Sequence, residues 1–206
     1  KSLYIIALNS TIMKRTKLFI LLFTTFSIFA QDKLKTHTAT VNFEASVPLF
    51  EEVKAVNKLG IIVLEPKTSM LICTVVIKDF RFKMDLMEEH FNENYMESHR
   101  YPKAVFKGKI LKFDLNEISE LEKEYQIKGK FYLRRKSKNI EVKAFIKKVA
   151  DGIQISSNFS IALADFDIDV PYTIAGKIAK TVHTEVRGTV KCDDCPTKQM
   201  MIANSN

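Results

Sequence analysis

The stretch YQIKGKFYLRRKSKNIEVKAFIKKVADGIQISSNFSIAL, residues 125–163, decides the fold. Apolar and polar residues alternate in it three times over: Tyr125, Ile127, Gly129, Phe131 and Leu133; then Ile140, Val142, Ala144 and Ile146; then Ile153, Ile155, Ser157, Phe159, Ile161 and Leu163. Side chains two apart on an extended backbone share a face, so each run reads as a strand with one dry and one wet side. The breaks are short. Arg134-Arg135-Lys136-Ser137-Lys138 separates the first two runs, and Asp151-Gly152 marks a tight turn before the third. Strands joined this closely pair antiparallel.

The same rhythm extends both ways. Ala39, Val41, Phe43 and Ala45 form a first strand. Residues 59–64 and 70–80 are apolar runs flanking Pro66-Lys67-Thr68-Ser69, the pattern of a hairpin. Ala104, Phe106, Gly108 and Ile110 alternate, as do Val182, Thr184, Val186, Gly188 and Val190. These make eight strand signals with no strand-helix repeat of the kind that builds a parallel sheet. The expected fold is an all-β antiparallel barrel or sandwich. At about 3.3 Å per residue, strands of eight to eleven residues reach roughly 27–36 Å, which suits a tall barrel. Two segments break the alternation. Phe50, Val53 and Val56 stand at helical spacing, predicting a short helix after Pro48. In residues 84–96 Met84, Met87, Phe91 and Tyr95 share a face opposite glutamates, predicting an amphipathic helix of about three turns that ends before Tyr101-Pro102.

Composition narrows the class. The 206 residues are 46% hydrophobic and 27% charged, as in a folded domain rather than a disordered or coiled-coil chain. Of the 32 Lys and Arg, four precede residue 31 where no acid occurs, so the excess over 24 acids downstream is half the formal +8. That leaves no concentrated basic face, and nucleic acid is not an expected partner.

Met13-Lys14-Arg15-Thr16-Lys17, the uncharged run 18–29 and Ala30 read as the basic, apolar and small-residue parts of a secretory signal. Twelve residues are too few for a spanning helix, which needs roughly 20, so no integral membrane insertion is expected. Residues 1–12 precede a more natural start at Met13 and are left out of the fold reading. The expected division is a signal-bearing segment 1–30, a barrel domain 31–191 and a tail 192–206, with a periplasmic or secreted location. Cys192 and Cys195 could close a disulfide in that tail, and Cys73 reads as a small hydrophobe.

Ten inward positions, Val41, Phe43, Phe106, Ile110, Ile127, Phe131, Ile155, Phe159, Ile161 and Val186, are apolar and come from different strands. They would either line a pocket or fill a core, and closed eight-stranded barrels do both. Glycines 108, 129 and 188 on the inner faces fit strand bending or room for a ligand. His90, Glu93 and Glu97 share a helix face, but no partner helix supplies further metal ligands, so a solvated edge is the better reading. Asp165, Asp167 and Asp169 lack the remaining positions of a calcium loop and also read as a solvated edge. Arg134 and Arg135 mark a solvated hairpin turn or, alternatively, contacts to a phosphate head group or transient contact with an anionic membrane surface. No Gly-x-Ser-x-Gly, phosphate loop or His-Glu-x-x-His occurs, so the expectation is a non-enzymatic protein with no cofactor and no metal.

The string MDLMEEHFNENYMESHRYPKAVFKGKI, residues 84–110, resembles the YceI-like family in the order of its helical segment, Tyr-Pro pair and A-x-F-x-G strand. Tyr125-x-Ile127-x-Gly129-x-Phe131 and Phe159-Ser160-Ile161-Ala162-Leu163-Ala164-Asp165-Phe166 are similar to later strands of that family, and the resemblance spans residues 36–190. It implies an exported, eight-stranded, lipocalin-like antiparallel barrel with a short amphipathic helix covering one end, whose interior holds a polyisoprenoid or related apolar lipid. On that reading the ten inward residues bind the lipid, and Met84, Met87, His90, Phe91, Tyr95 and His99 form a lid and mouth. Methionine suits a lid, because an unbranched thioether repacks around irregular apolar shapes.

Overall fold

The computed structural model describes residues 33–192. The expected signal, residues 1–12 and Cys195 lie outside them. Cys192, the last described residue, is disulfide-bonded, and Cys73 is free.

Eight long strands form a closed antiparallel meander: β1 (Leu34–Glu44), β2 (Lys54–Glu65), β3 (Met70–Val76), β5 (Lys103–Ile110), β6 (Lys123–Leu133), β7 (Lys136–Val149), β8 (Gly152–Ala162) and β9 (Thr181–Cys192). Each pairs with the next barrel strand, and β1 closes the ring by pairing with both β2 and β9. A two-residue strand, β4 (Arg81–Phe82), adds to β2 beyond the end of β3. Closure leaves the eight barrel strands without open edges. A short helix, α1 (Asp85–His90), runs without a break into a π-helical turn, Phe91–Tyr95, so the expected helical segment is present with its second half wound as a π-helix.

The expected helix at Phe50, Val53 and Val56 is absent. β2 begins at Lys54, and Ala55 and Asn57 point inward opposite Phe43 and Val41. Asn57 is the reason: fully buried, its Nδ2 donates to the Val76 carbonyl at 2.9 Å and its Oδ1 accepts from the Leu59 amide at 2.8 Å. A polar residue that would be costly inside is thus satisfied at an irregularity in the β1–β2 register.

The barrel has a turn end and a loop end. The turn end carries the connections at 66–69, 111–122 and 150–151, and is packed with Leu64, Ile110, Tyr125, Ile127, Ile146, Ile153 and Val190. At Gly108 a Cβ would lie 2.7 Å from the Phe106 ring and 2.8 Å from Ile127. The space left by that glycine is therefore filled by neighbouring side chains. Gly129 has a different reason: its Cβ would stand 2.4 Å from the Lys107 carbonyl oxygen, where β5 and β6 approach closely. The loop end carries residues 45–53, the helical segment, the tight β6–β7 turn and residues 163–180, around a second core of Val41, Ala55, Val75, Phe80, Met96, Leu133 and Phe166.

Candidate functional site

An apolar cavity of about 400 Å³ lies inside the barrel between the two cores. All eight long strands contribute to its wall: Val41 and Phe43 from β1, Ile62 from β2, Cys73 from β3, Phe106 from β5, Phe131 from β6, Val142 from β7, Phe159 from β8 and Val186 from β9. Its mouth is at the loop end, where the lining includes exposed Phe50, Glu51, Met84, Leu86, His90 and Lys177. Polar atoms within are few. Ser157 and Thr184 line the wall, and the Ser157 hydroxyl is committed to the Lys143 carbonyl at 2.7 Å. The site is apolar at depth, and at its rim Glu51, His90 and Lys177 stand beside the apolar Phe50, Met84 and Leu86, an arrangement that suits an amphiphile.

Two aromatic groups flank the cavity. Phe43, Phe80, Phe82 and Phe91 pack together, with Phe43 and Phe91 stacked at 5.3 Å and Phe82 and Phe91 at 5.0 Å. Opposite them Phe131 meets Phe166 edge-on at 5.4 Å and Phe159 at 6.1 Å. The first group ties the helical segment to the barrel wall, because Phe91 belongs to the π-helical turn and Phe43 to β1.

Nine of the ten inward positions read from alternation face this cavity: Val41, Phe43, Phe106, Ile127, Phe131, Ile155, Phe159, Ile161 and Val186. Ile110 does not, since it is buried in the packed turn end. Of the expected lid residues, Met84, Met87, His90, Phe91 and Tyr95 line the mouth, whereas His99 is exposed in the turn that follows and does not. Alternation could not reveal the part played by residues 164–180. Leu163 ends the alternating run of β8, but Ile168, Val170, Ile174 and Ile178 line the mouth without a regular period; their signal was apolar density in a stretch of short 3-10 turns and irregular backbone.

Arg134 and Arg135 line no part of the cavity. The Arg134 side chain is 7% exposed, pairs with Glu97, donates to the Asp167 carbonyl at 2.6 Å and lies over the Tyr101 ring. It is consumed by structure and offers nothing to a head group. Arg135 is exposed at the turn. Nearby, Lys136 pairs with Asp167 at 3.0 Å and Lys138 pairs with Asp165. The basic hairpin and the acidic segment, read separately as solvated edges, therefore pair with each other. Burial works against ionisation of Glu97, but the guanidinium groups of Arg134 and Arg100 prevail and hold its carboxyl below the usual value. Among the described residues no group of three or more His, Cys, Asp or Glu is placed to hold a metal ion. Burial pushes the Cys73 thiol up to about 12, so on the cavity wall it is a neutral, unreactive group. No helix among the described residues is long and apolar enough to cross a membrane.

The sequence model described as YceI-like domain matches residues 32–190. No curated protein matches the sequence. Among solved structures, a polyisoprenoid binding domain from Saccharophagus degradans implicated in plant cell wall breakdown is similar at a TM-score of 0.68 and 12% identity, over 79% of this chain and 99% of that one. BcnA of Burkholderia cenocepacia is similar at 0.60 and 13% identity, over 74% of this chain and 96% of that one. At these identities the likeness speaks for the fold.

Proposed function

Because this chain belongs to the YceI-like domain family, we propose that it takes up an apolar, isoprenoid-type lipid inside its barrel and carries or sequesters it without chemical change. The observation that carries this reading is the open apolar cavity of about 400 Å³, within the range of roughly 300–1,000 Å³ of sites that enclose small molecules. A filled barrel serving only as a structural or partner-binding module would have closed that volume with its own side chains, as the turn end does. The similar domain from Saccharophagus degradans, described as polyisoprenoid binding, favours the same class of ligand. The tail would lie among Phe106, Ile127, Phe131 and Val186, and the polar end at the mouth near His90 and Lys177. At about 0.8 kcal/mol per methylene, withdrawing ten to fifteen from water contributes on the order of 8–12 kcal/mol before ordering costs, so tight binding needs no covalent step. Export follows from the signal-like residues 13–30, and the protein acts outside the cytoplasm.

Native mass spectrometry of protein purified from an exporting host tests the proposal. A carrier retains a lipid of several hundred daltons or, once stripped, binds parinaric acid at one site with a rise in its fluorescence. Protein that shows only the polypeptide mass and leaves parinaric acid dark in buffer overturns it.

A further inference from the structure

Among the described residues, five of the nine large apolar side chains that the fold leaves exposed stand at the loop end, while Leu59 and Tyr132 lie on outward strand faces and Leu115 and Leu121 at the turn end. Leu49, Phe50, Met84, Leu86 and Tyr172 are 103%, 49%, 39%, 57% and 97% exposed, and they come from three separate segments around the cavity mouth. Phe50, Met84 and Leu86 also line the cavity, so the rim is continuous with its wall. Two of the segments, 45–53 and 163–180, are joined at their bases, where the Ala179 amide donates to the Ala45 carbonyl at 2.9 Å.

Leu49 departs from local rules twice. It occupies the left-handed region at φ 71°, where glycine or asparagine is favoured, and it presents its whole isobutyl group to solvent. A residue disfavoured by both backbone and water points to an environment other than water. The charges on the same segments are mixed: Lys83, Lys177 and Lys180 stand against Glu51, Asp85, Glu89 and Asp169. This face has no cationic excess with which to seek anionic head groups.

We propose that the mouth docks on the surface of a lipid bilayer by inserting Leu49, Phe50, Leu86 and Tyr172, so that the ligand passes between membrane and cavity without crossing water. The proposal rests on the lipid-binding reading above and adds where and how the lipid enters. Attachment is by apolar insertion, independent of anionic lipid, and reversible because the inserted area is small.

The test compares the full chain with the double variant Leu49→Asn and Tyr172→Ser. Neither residue lines the cavity, and asparagine suits the left-handed backbone at position 49. Flotation with vesicles of phosphatidylcholine alone gives the partition coefficient, and parinaric acid in buffer gives the occupancy of the cavity. The wild type should float with neutral vesicles, and the double variant should partition at least about tenfold less, a change of about 1.4 kcal/mol. Both should bind parinaric acid equally. Loss of probe binding with flotation retained in the wild type would defeat the lipid-carrier reading while leaving the docking surface. Equal flotation of the two proteins overturns the docking proposal. So does flotation that requires anionic lipid and vanishes in about 0.5 M salt, or a dimer in solution that only the double variant dissolves.

Discussion

Phe91 of the π-helical turn stacks on Phe43 of β1, with ring centroids 5.3 Å apart and planes inclined by 28°. One ring belongs to the cover and the other to the wall, so this contact couples the position of the helical segment to the barrel. Phe82 and Phe80 hold Phe91 from two further sides at 5.0 and 5.9 Å. Phe91→Ala should leave the barrel closed and loosen its cover. We expect a loss of about 2–3 kcal/mol in urea unfolding, below the range for a fully buried ring because Phe91 is partly exposed. Stopped-flow dissociation of parinaric acid should be faster by about tenfold, since changes at one interface act mostly on the off-rate.

Thr184 on β9 lies opposite Phe43 and Phe159 and faces the cavity. Thr184→Phe adds a ring to empty space without introducing charge. It should abolish probe binding while changing stability by less than about 1.5 kcal/mol. Phe131→Arg should abolish binding as well, but with a large loss of stability, because an unpaired charge would enter a dry interior. Retained binding in both variants, followed by fluorescence titration, would show that the ligand lies elsewhere.

Alternation made the barrel legible because every long strand exposes one face to water and buries the other. It carried less information where the chain leaves that rule. The helix expected around Val53 was an accident of spacing, since the buried Asn57 interrupts the apolar period of β2 and only its hydrogen bonds to Val76 and Leu59 make that position tolerable. Arg134 looked like a surface cation because its partners, Glu97 and the Asp167 carbonyl, are 37 and 33 residues away. No local pattern encodes such a contact. Ile168, Val170, Ile174 and Ile178 escaped for the converse reason: they meet the cavity from short 3-10 turns and irregular backbone, which have no sustained period to read.

Gly108 and Gly129 face each other across β5 and β6, yet their replacement should differ in kind. A methyl at Gly108 meets the tip of the Phe106 ring at 2.7 Å, and that ring also lines the cavity. Gly108→Ala should therefore cost about 1–3 kcal/mol and weaken probe binding as Phe106 is displaced. A methyl at Gly129 meets the Lys107 carbonyl oxygen at 2.4 Å, where only backbone could yield. Gly129→Ala should be the more destabilising of the two, measured as a shift in urea midpoint, and should reduce soluble expression.

Acid should release the contact between the helical segment and the β6–β7 turn. Although burial opposes its charge, Glu97 is held ionised by Arg134 and Arg100, so its carboxyl titrates lower in the folded chain than in the unfolded one. As pH falls below about 4.5, the unfolded carboxyl takes up a proton first and the unfolded state is favoured. The contribution is complete at neutral pH and is lost through the folded value. Urea midpoints measured from pH 7 down to pH 3 should fall more steeply for the wild type than for Glu97→Gln, which lacks that titration. Parallel curves for the two proteins would assign the acid sensitivity to other groups.

Cys73 offers a reporter inside the cavity. With its thiol pushed up to about 12 by burial, the thiolate fraction at pH 8 is on the order of 10⁻⁴, against roughly a quarter for an unperturbed cysteine near 8.5. Alkylation by iodoacetamide should accordingly be about 10³-fold slower in the native protein than in urea, even though the side chain is not fully shielded. The slow native rate should rise with pH, since thiolate supply limits it, and should fall when parinaric acid occupies the cavity that Cys73 lines. Mass spectrometry after timed quenching reads both effects on one residue. Rapid native alkylation at pH 8 would mean that water reaches the β3 wall and that the interior is wetter than its side chains imply.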